Sequence, residues 1–352
     1  MKQIVMIGPS PTSQGGMASV AKNLLEHGYE HDGRCRFIAT HVEGSALAKA
    51  ACAAGALARF GGLLVTRKVA LLHVHGASGI SFWRKAWFIA AAQAAGVPVL
   101  FHSHGGHFIE FVDHELSGWR QRLARRLIGR SRAALALSLT SAAWLEQACG
   151  IAAVEVFPNP MPLPTASVQP TARGRDILFL ARIEAGKGIY DLLEAFAIVV
   201  RTQADARLVI GGKGDTAPVR ARADALGLGE QVVIEGWIGP ARRAELLARA
   251  AVFALPSYEE QMPMTILEAM AAGTPVVASE AGAIPEILDY GNIGVVVPQR
   301  NIAALSDALL HVLTDNIFAD TLSGRGLERI RATYLIESVM RRLRRRYEEL
   351  LL

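Results

Sequence analysis

An α/β fold with two domains is predicted by three features of this sequence. Short apolar runs alternate along the chain with Ala- and Leu-rich helical stretches, a pattern typical of sheets covered by helices. The chain has 352 residues and 51% of them are hydrophobic, which is enough for two cores. The segment FPNPMPLPTASVQP, with five prolines in fourteen residues, interrupts this alternation near the middle.

The strands are predicted from the apolar runs in each half of the chain. In the first half they are QIVMIG, RFIATHV, LLHVHG, PVLFHSH and AALALS, and each is followed by a helical stretch. In the second half they are DILFLARI, RLVIGG, QVVIEGWI, AVFALPS, PVVAS and GVVVP. Repeated strand–helix pairs imply doubly wound parallel sheets with right-handed crossovers. We therefore expect two Rossmann-like domains, residues 1–160 and 171–335, with a linker at 161–170.

Charge and cysteine content restrict the partners and the compartment. The formal net charge is +5 and the pI is about 9.3, which favours anionic partners such as nucleotides, phosphates or an acidic membrane face. Cys35, Cys52 and Cys149 have no metal-site or redox spacing and indicate a reducing compartment. Lys2 is followed directly by a strand-like run, and no apolar stretch of membrane-span length is recognised. We expect a cytoplasmic protein without a signal peptide.

The stretch from Ala254 to Leu288 forms one strand–loop–helix–strand pattern that carries two glutamates. Pro263 precedes the helical run TILEAMAA, which ends at Gly273. Glu260 lies on the loop and Glu268 lies eight residues later on the helix. Both can face the region beyond the strand ends, where open α/β sheets bind ligands. The alternative is that both are ordinary solvated side chains.

Two further segments favour binding of a phosphate or a diphosphate. Arg182 lies at the end of a strand and Lys187 at the start of the next helix, where two cations and a helix dipole can hold a diphosphate. Gly15 and Gly16 lie between the first strand and its helix, where glycine lets the backbone approach a phosphate. Surface cations and a plain strand–helix turn are the alternatives.

Histidines are concentrated between residues 73 and 114 and allow a rival hypothesis. His102, His104 and His107 in FHSHGGHF, with His73 and His75 in HVHG, could hold a metal in a hydrolase. Their spacing matches no closed zinc site, and core or loop histidines are a second alternative. The chain also lacks the D-x-D pattern with which many transferases hold a metal against a diphosphate.

These segments together resemble a known family. The string around Glu260 and Glu268, and the R-x4-KG pattern of Arg182 and Lys187, are similar to the signature of the retaining family 4 glycosyltransferases. The resemblance implies the GT-B fold, in which two Rossmann-like domains face each other across a cleft. It also implies that a C-terminal helix, residues 336–352, returns to the first domain, the acceptor-binding one. The second domain would bind a GDP- or UDP-sugar, and hexosyl transfer would proceed with retention and without a metal cofactor.

Site residues follow from the resemblance position by position. His104, six residues past Pro98, would contact the transferred sugar as a catalytic group, with His102 as the alternative. Glu260 would bind the sugar hydroxyls and Glu268 the ribose. The implied donor-binding residues are Gly16, Arg182, Lys187, Gly212, Ile238, Glu260, Met262, Pro263, Met264 and Glu268. The implied acceptor or phosphate loop consists of Gly15, Gly16 and Met17. Gln261 departs from the glycine that the family often has, so donor identity does not carry over.

Acceptor and location are also expectations from the resemblance. FHSHGGHF and IATHVEG look like a bacterial subgroup that builds exopolysaccharides or surface glycans, often on lipid-linked saccharides at the inner membrane face. A basic face that could bind anionic membrane is predicted at Arg120, Arg122, Arg125 and Arg126, beside an apolar stripe. The alternative is that the stripe packs on the sheet and the arginines are solvated. No nucleic-acid partner is expected. A non-catalytic sugar-nucleotide-binding protein of this fold is the other alternative.

Overall fold

The computed structural model describes residues 2–104, 107–163 and 174–352, and their contacts define two compact units. The first unit consists of Met1–Pro160 together with Ile336–Leu352, and the second of Met161–Leu335. Residues 164–170 of the predicted linker lie outside the described residues.

The first unit alternates strands and helices. In chain order they are β1 (Gln3–Pro9), α1 (Gly16–Glu26), β2 (Cys35–His41), α2 (Ala46–Val65), β3 (Val69–Gly76), α3 (Ile80–Ala94), β4 (Val99–Ser103), α4 (Phe108–Glu110), α5 (Gly118–Gly129), β5 (Ala133–Ala136), α6 (Leu139–Gln147) and β6 (Val154–Val156). A π-helical turn, Phe111–Glu115, continues α4. The short strand β6 is missing from the sequence prediction because its three half-buried residues give no apolar run.

The second unit repeats the alternation. Its elements are β7 (Asp176–Leu180), α7 (Ile189–Val199), β8 (Arg207–Gly211), α8 (Ala217–Ala225), β9 (Val232–Gly236), α9 (Pro240–Arg249), β10 (Val252–Leu255), α10 (Met264–Ala271), β11 (Val276–Ser279), α11 (Ile284–Ile287), β12 (Val295–Val297), α12 (Ile302–Thr314) and α13 (Asn316–Arg329). Shorter turns lie at Ala185–Lys187, Gly229–Gln231, Asp289–Gly291 and Ile330–Tyr334. The last helix, α14 (Ile336–Leu351), belongs to the first unit.

Each unit has one parallel sheet of six strands. The strand orders are β2-β1-β3-β4-β5-β6 and β12-β11-β10-β7-β8-β9. Every residue of β4, β5, β10 and β11 is buried, as expected for parallel strands covered by helices on both faces. The strand order reverses between β1 and β3 in the first sheet and between β7 and β10 in the second. The predicted doubly wound α/β architecture is therefore confirmed.

Helix α14 is fixed to the first sheet by a buried polar contact. Tyr347 is 2% exposed, and its hydroxyl lies 2.6 Å from Nδ1 of His73 on β3. The same hydroxyl lies 3.1 Å from that of Tyr29. Buried tyrosine hydroxyls need such partners, so these contacts specify where the helix packs. The C-terminal helix thus packs on the first unit, as the fold prediction requires.

Helix α2 differs from the sequence expectation. It is long and apolar enough to cross a membrane by length and composition, although no membrane-span stretch was expected. Most of it is not buried within its unit, and Leu47 and Val65 are 80% and 85% exposed.

Candidate active site

The second sheet has its ligand-binding edge where its strand order reverses. Strands β7 and β10 are neighbours, and the chain leaves them in opposite directions across the sheet. Ligands of open α/β sheets bind beyond the carboxyl ends of strands at such a point. Arg182 and Lys187 follow β7, and the loop that contains Glu260 follows β10. The fold therefore brings the two predicted donor segments to one edge.

A short ion pair connects these two segments. The Nζ atom of Lys187 lies 2.6 Å from Oε1 of Glu260 and donates a second hydrogen bond, 3.0 Å long, to the carbonyl oxygen of Glu259. The two paired side chains are 16% and 14% exposed, so solvent screens the pair only in part. The sequence hypothesis placed both residues at the site, and the structure adds that each is the other's partner.

Two glycines allow the loops to approach this closely. Gly188 has φ +70°, and a Cβ atom there would lie 1.9 Å from the carbonyl oxygen of Pro256. Gly282 has φ +55°, and a Cβ atom there would lie 1.7 Å from the carbonyl oxygen of Glu260. A larger residue at either position would displace the Glu260 loop, because both the backbone conformation and the space require glycine.

Arg182 is the more accessible cation of the pair predicted to hold a diphosphate. It is 70% exposed and its guanidinium lies 2.9 Å from the Glu184 carboxylate. An exposed ion pair of this kind contributes little to stability, about 0–1 kcal/mol, and exchanges readily for another anion. Arg182 can therefore turn toward a diphosphate at small cost, whereas Lys187 must exchange its contact with Glu260.

Glu268 is held by an arginine that the sequence hypothesis missed. Nη1 of Arg243, on α9, lies 3.1 and 3.3 Å from the two carboxylate oxygens of Glu268. Burial raises the pKa of Glu268, and Arg243 acts in the opposite direction. A carboxylate fixed in this way can accept hydrogen bonds from hydroxyl groups of a bound ligand. No pattern in the sequence pairs these residues, which lie 25 positions apart.

The other predicted donor residues mostly shape the edge. Pro263 and Met264 are buried at the start of α10, and Met262 is half-buried. Ile238 is 7% exposed, and its side chain covers Gly211 at the end of β8. At Gly212 a Cβ atom would lie 1.7 Å from the carbonyl oxygen of Ala181, so glycine permits the two strand exits to meet.

The first sheet reverses its order between β1 and β3. Gly15, Gly16 and Met17 lie at the start of α1, directly after β1, with Gly15 at φ +111°. His104 follows β4, and its backbone amide donates to the carbonyl oxygen of Gly76 at the end of β3. These predicted residues all lie at the carboxyl edge of the first sheet, while Glu260 belongs to the second unit.

Four histidines are stacked at this edge. His75 lies 4.5 Å from His104 and 4.8 Å from His73 between ring centroids, and His102 lies 3.9 Å from His104. His73 and His102 are joined by a 3.3 Å contact between ring nitrogens. Burial lowers the pKa of His102 and His104 well below the usual value, and neighbouring imidazoles lower it further. Both rings are therefore neutral at pH 7, and His102 is the more deeply buried.

The sequence hypothesis missed the cations beside these rings. Lys85, on α3, is 1% exposed, and burial lowers its pKa to about 7. Arg84 is half-buried next to it. The burial of Lys85 could have been predicted from helical spacing. It lies three residues after Phe82 and four before Ile89, on the apolar face of the helix.

Two family models match the chain. One, described as a glycosyl transferase 4-like domain, covers residues 7–160, and the other, described as glycosyl transferases group 1, covers residues 174–315. The phosphatidyl-myo-inositol mannosyltransferase of Mycobacterium leprae is 31% identical over 270 residues, which are 74% of this chain and 68% of that protein. The chain belongs to glycosyltransferase family 4.

Solved structures of glycosyltransferases share the fold of this family 4 member. Sucrose-phosphate synthase from Thermosynechococcus elongatus superposes with a TM-score of 0.79 at 20% identity, covering 99% of each chain. Anabaena HepE, solved with UDP and glucose, gives 0.76 at 16% identity, covering 99% of this chain and 100% of that one. The GT-B fold expected from the sequence is thus confirmed.

The metal-hydrolase alternative named five histidines, and the structure brings three of them within range of one ion. Among the described residues, the ring nitrogens that could share one ion belong to His73, His75 and His102, within 4.8 Å of one another. His107 is exposed. The geometry therefore favours His73, His75 and His102 over the trio His102, His104 and His107. Family membership indicates a glycosyltransferase rather than a hydrolase.

Helix α5 presents part of the predicted basic face. Arg120, Arg122 and Arg126 are exposed, whereas Arg125 contacts Asp113 at 2.8 Å. The expected apolar stripe is divided, since Ile128 is completely buried and Leu123 is 37% exposed. The inner half of the stripe packs on the first sheet because α5 must bury one side against it, which leaves the outer half and the arginines at the surface.

Proposed function

We propose that this family 4 glycosyltransferase transfers a hexose with retention from a GDP- or UDP-sugar to a glycan acceptor. The observation that supports this best is the Lys187–Glu260 pair at the edge between β7 and β10, with Arg182 and Glu268 in the same unit. Cations for a diphosphate and carboxylates for hydroxyl groups are the two kinds of group that a nucleotide-sugar requires. The UDP and glucose named for HepE support this donor class.

In this proposal the donor diphosphate replaces Glu260 as the partner of Lys187. Lys187 and Arg182 then neutralise the charge that develops on the leaving diphosphate, and the N-terminus of α7 adds to the same field. Glu260, released from Lys187, accepts hydrogen bonds from the sugar hydroxyls, and Glu268 binds the ribose. The sugar becomes oxocarbenium-like as the diphosphate departs, and the acceptor attacks from the same face.

His104 contributes a neutral polar group to the same proposal. Its Nε2 atom is buried without a hydrogen-bond partner in the described part of the chain. A neutral imidazole can accept or donate one hydrogen bond there, according to its tautomer. We assign this bond to a hydroxyl of the transferred sugar.

We further propose that transfer requires no metal cofactor. Two cations and a helix N-terminus supply the positive charge that a metal would otherwise give to the leaving group. The chain's lack of D-x-D agrees with this mechanism.

The acceptor that we propose is a lipid-linked saccharide in bacterial exopolysaccharide or surface polysaccharide synthesis, met at the inner face of the cytoplasmic membrane. The lipid named in the Mycobacterium leprae relative supports a membrane acceptor. In this chain Trp119 of α5 and Trp87 of the adjacent α3 are 63% and 70% exposed, and Trp119 is followed by the exposed Arg120 and Arg122. Exposed aromatic rings beside basic side chains are typical of protein surfaces that bind anionic bilayers.

A donor screen followed by product analysis tests the proposed function. Nucleotide-sugars are compared by thermal shift, because a ligand stabilises the folded protein according to its affinity and concentration. The stabilising donor is then incubated with prenyl-diphosphate-linked saccharides, and the anomeric configuration of the product is measured by NMR. Stabilisation without product would indicate a non-catalytic binding protein, and an inverted product would refute retention.

A further inference from the structure

His75, at the end of β3, is the most unusual polar residue of the first unit. It is 1% exposed, and neither ring nitrogen has a hydrogen-bond partner among the described residues. Buried polar groups are almost always paired, because an unpaired one costs about 1–3 kcal/mol. Two unpaired atoms on one imidazole therefore indicate that a bonding partner from outside the chain belongs here.

The neighbouring helix supplies two cations that no carboxylate of the described chain neutralises. Lys85 and Arg84 both contact the hydroxyl of Ser81, at 3.1 and 3.4 Å. Nε of Arg84 is buried without a partner, and Lys85 is 1% exposed. A hydroxyl carries no charge, so the positive charge of this helix turn stays uncompensated. Burying an unpaired cation is costly, and for Lys85 this cost lowers the pKa to about 7. A bound anion would favour the charged ammonium form.

Two further buried polar atoms without partners in the described chain lie near the carboxyl ends of β1 and β2. Nδ1 of His41, the last residue of β2, and Oγ of Ser13, after β1, are buried and unpaired within the described ranges. The loops that carry them are joined where the amide of Ser10 donates to the His41 carbonyl at 2.8 Å. Lys85 lowers the pKa of His41, His75 and His104, so these groups lie within electrostatic range of one another. Glu43 raises the pKa of His41, but less than burial and the neighbouring cations lower it.

The electric charge of this cluster decides whether it fits a cation or an anion. His73, His75 and His102 could in geometry share a metal ion. However, His73 and His102 already contact each other, and Lys85 would repel a cation beside His75. An anion instead gains charge-assisted hydrogen bonds from the lysine and the arginine. The cluster also lies between β1 and β3, where the order of the first sheet reverses, and beside the N-terminus of α1.

We propose that Lys85, Arg84 and His75 bind a phosphate or diphosphate group that belongs to the acceptor. The assignment to the acceptor depends on the proposed function, which places the donor diphosphate at Lys187 in the second unit. A prenyl diphosphate is the acceptor class that carries such a group next to a lipid.

The test measures binding of farnesyl diphosphate to the whole chain by isothermal titration calorimetry. Wild type is expected to bind it, and inorganic pyrophosphate is expected to displace it, whereas uncharged farnesol does not compete. Lys85→Met keeps an apolar chain of similar length and should weaken binding at least tenfold. Arg84→Gln, at a half-buried position, provides a second variant if Lys85→Met does not fold. Lys22→Met, an exposed lysine paired with Glu26, is the matched control.

The donor site is monitored separately through UDP and GDP. Lys85→Met should bind nucleotide as wild type does, and Lys187→Ala should bind farnesyl diphosphate as wild type does. Equal farnesyl diphosphate binding by wild type, Lys85→Met and Arg84→Gln would overturn the inference. Loss of this binding in Lys187→Ala would also overturn it, since the anion would then occupy the donor site. Stoichiometric Zn²⁺ binding that His75→Gln abolishes would identify a metal site instead. None of these results depends on whether sugar transfer is observed.

Discussion

Replacing Lys187 by alanine should change two quantities, the stability of the free protein and its affinity for the donor diphosphate. In the free protein the substitution leaves the largely buried Glu260 carboxylate without its 2.6 Å partner. An unpaired buried polar group costs about 1–3 kcal/mol, so the free energy of unfolding should fall by that amount. In the complex the substitution also removes a charge-assisted contact to the donor diphosphate, worth about 1.5–3 kcal/mol. The dissociation constant should therefore rise about ten- to hundredfold.

The double variant Lys187→Ala/Glu260→Gln is the matched control for stability. It removes both charges, so the carboxylate no longer needs a partner, and most of the lost stability should return. Nucleotide affinity should stay low because the cation is still missing. Glu260→Gln alone leaves Lys187 free, so UDP or GDP should bind at least as tightly as to wild type, while sugar transfer falls.

Calorimetry with UDP and GDP, together with urea unfolding, measures both quantities. The proposed donor site would be refuted if folded Lys187→Ala bound the preferred nucleotide with wild-type affinity. If the double variant recovered both stability and nucleotide affinity, Lys187 would act only by pairing with Glu260 and would not contact the donor.

Three further predictions test other parts of the proposal. Glu268→Ala should lower nucleotide-sugar affinity about ten- to hundredfold while the protein stays folded by circular dichroism, because a charged partner of the ribose is lost; unchanged affinity would remove Glu268 from the site. Transfer should persist in EDTA, and a complete loss that added metal reverses would contradict metal independence. Co-sedimentation with anionic liposomes should weaken in high salt and in Arg122→Glu/Arg126→Glu, but not in the control Arg201→Glu/Arg331→Glu; a wild type that ignores anionic liposomes at low salt would refute docking.

The fold could be predicted from the sequence because two features identify most elements: a continuous apolar run, and the glycine or proline that ends it. Runs such as AALA in β5 and VFAL in β10 are buried on both faces, so they appear as continuous apolar segments. Glycines and prolines then end many elements, as Gly273, at φ +73°, does after α10. Strand β6 has no continuous apolar run, since its three residues are only half-buried, and it was not predicted from the sequence.

The two predicted cationic segments show how far such patterns extend toward a site. Arg182 and Lys187 could be placed at a strand exit because their position depends on local order along the chain. The ion pair between Lys187 and Glu260 could not be predicted, because it joins residues 73 positions apart that meet only when β7 and β10 become neighbours. The Tyr347–His73 contact, across 274 positions, is hidden for the same reason.

The burial of Lys85, in contrast, could have been predicted, because it depends only on the local spacing of apolar residues in α3. A lysine on the apolar face of a helix either extends its ammonium group to the surface or remains buried with its charge. The first outcome is the common one and attracts no notice. Here the side chain is 1% exposed and contacts only a hydroxyl, so burial disfavours its charged form and lowers its pKa to about 7. A position that lowers stability in the free protein is most simply explained by a bound state in which the charge is needed. For this chain that explanation is an anion beside His75, which makes the first unit more than a scaffold for an uncharged sugar acceptor.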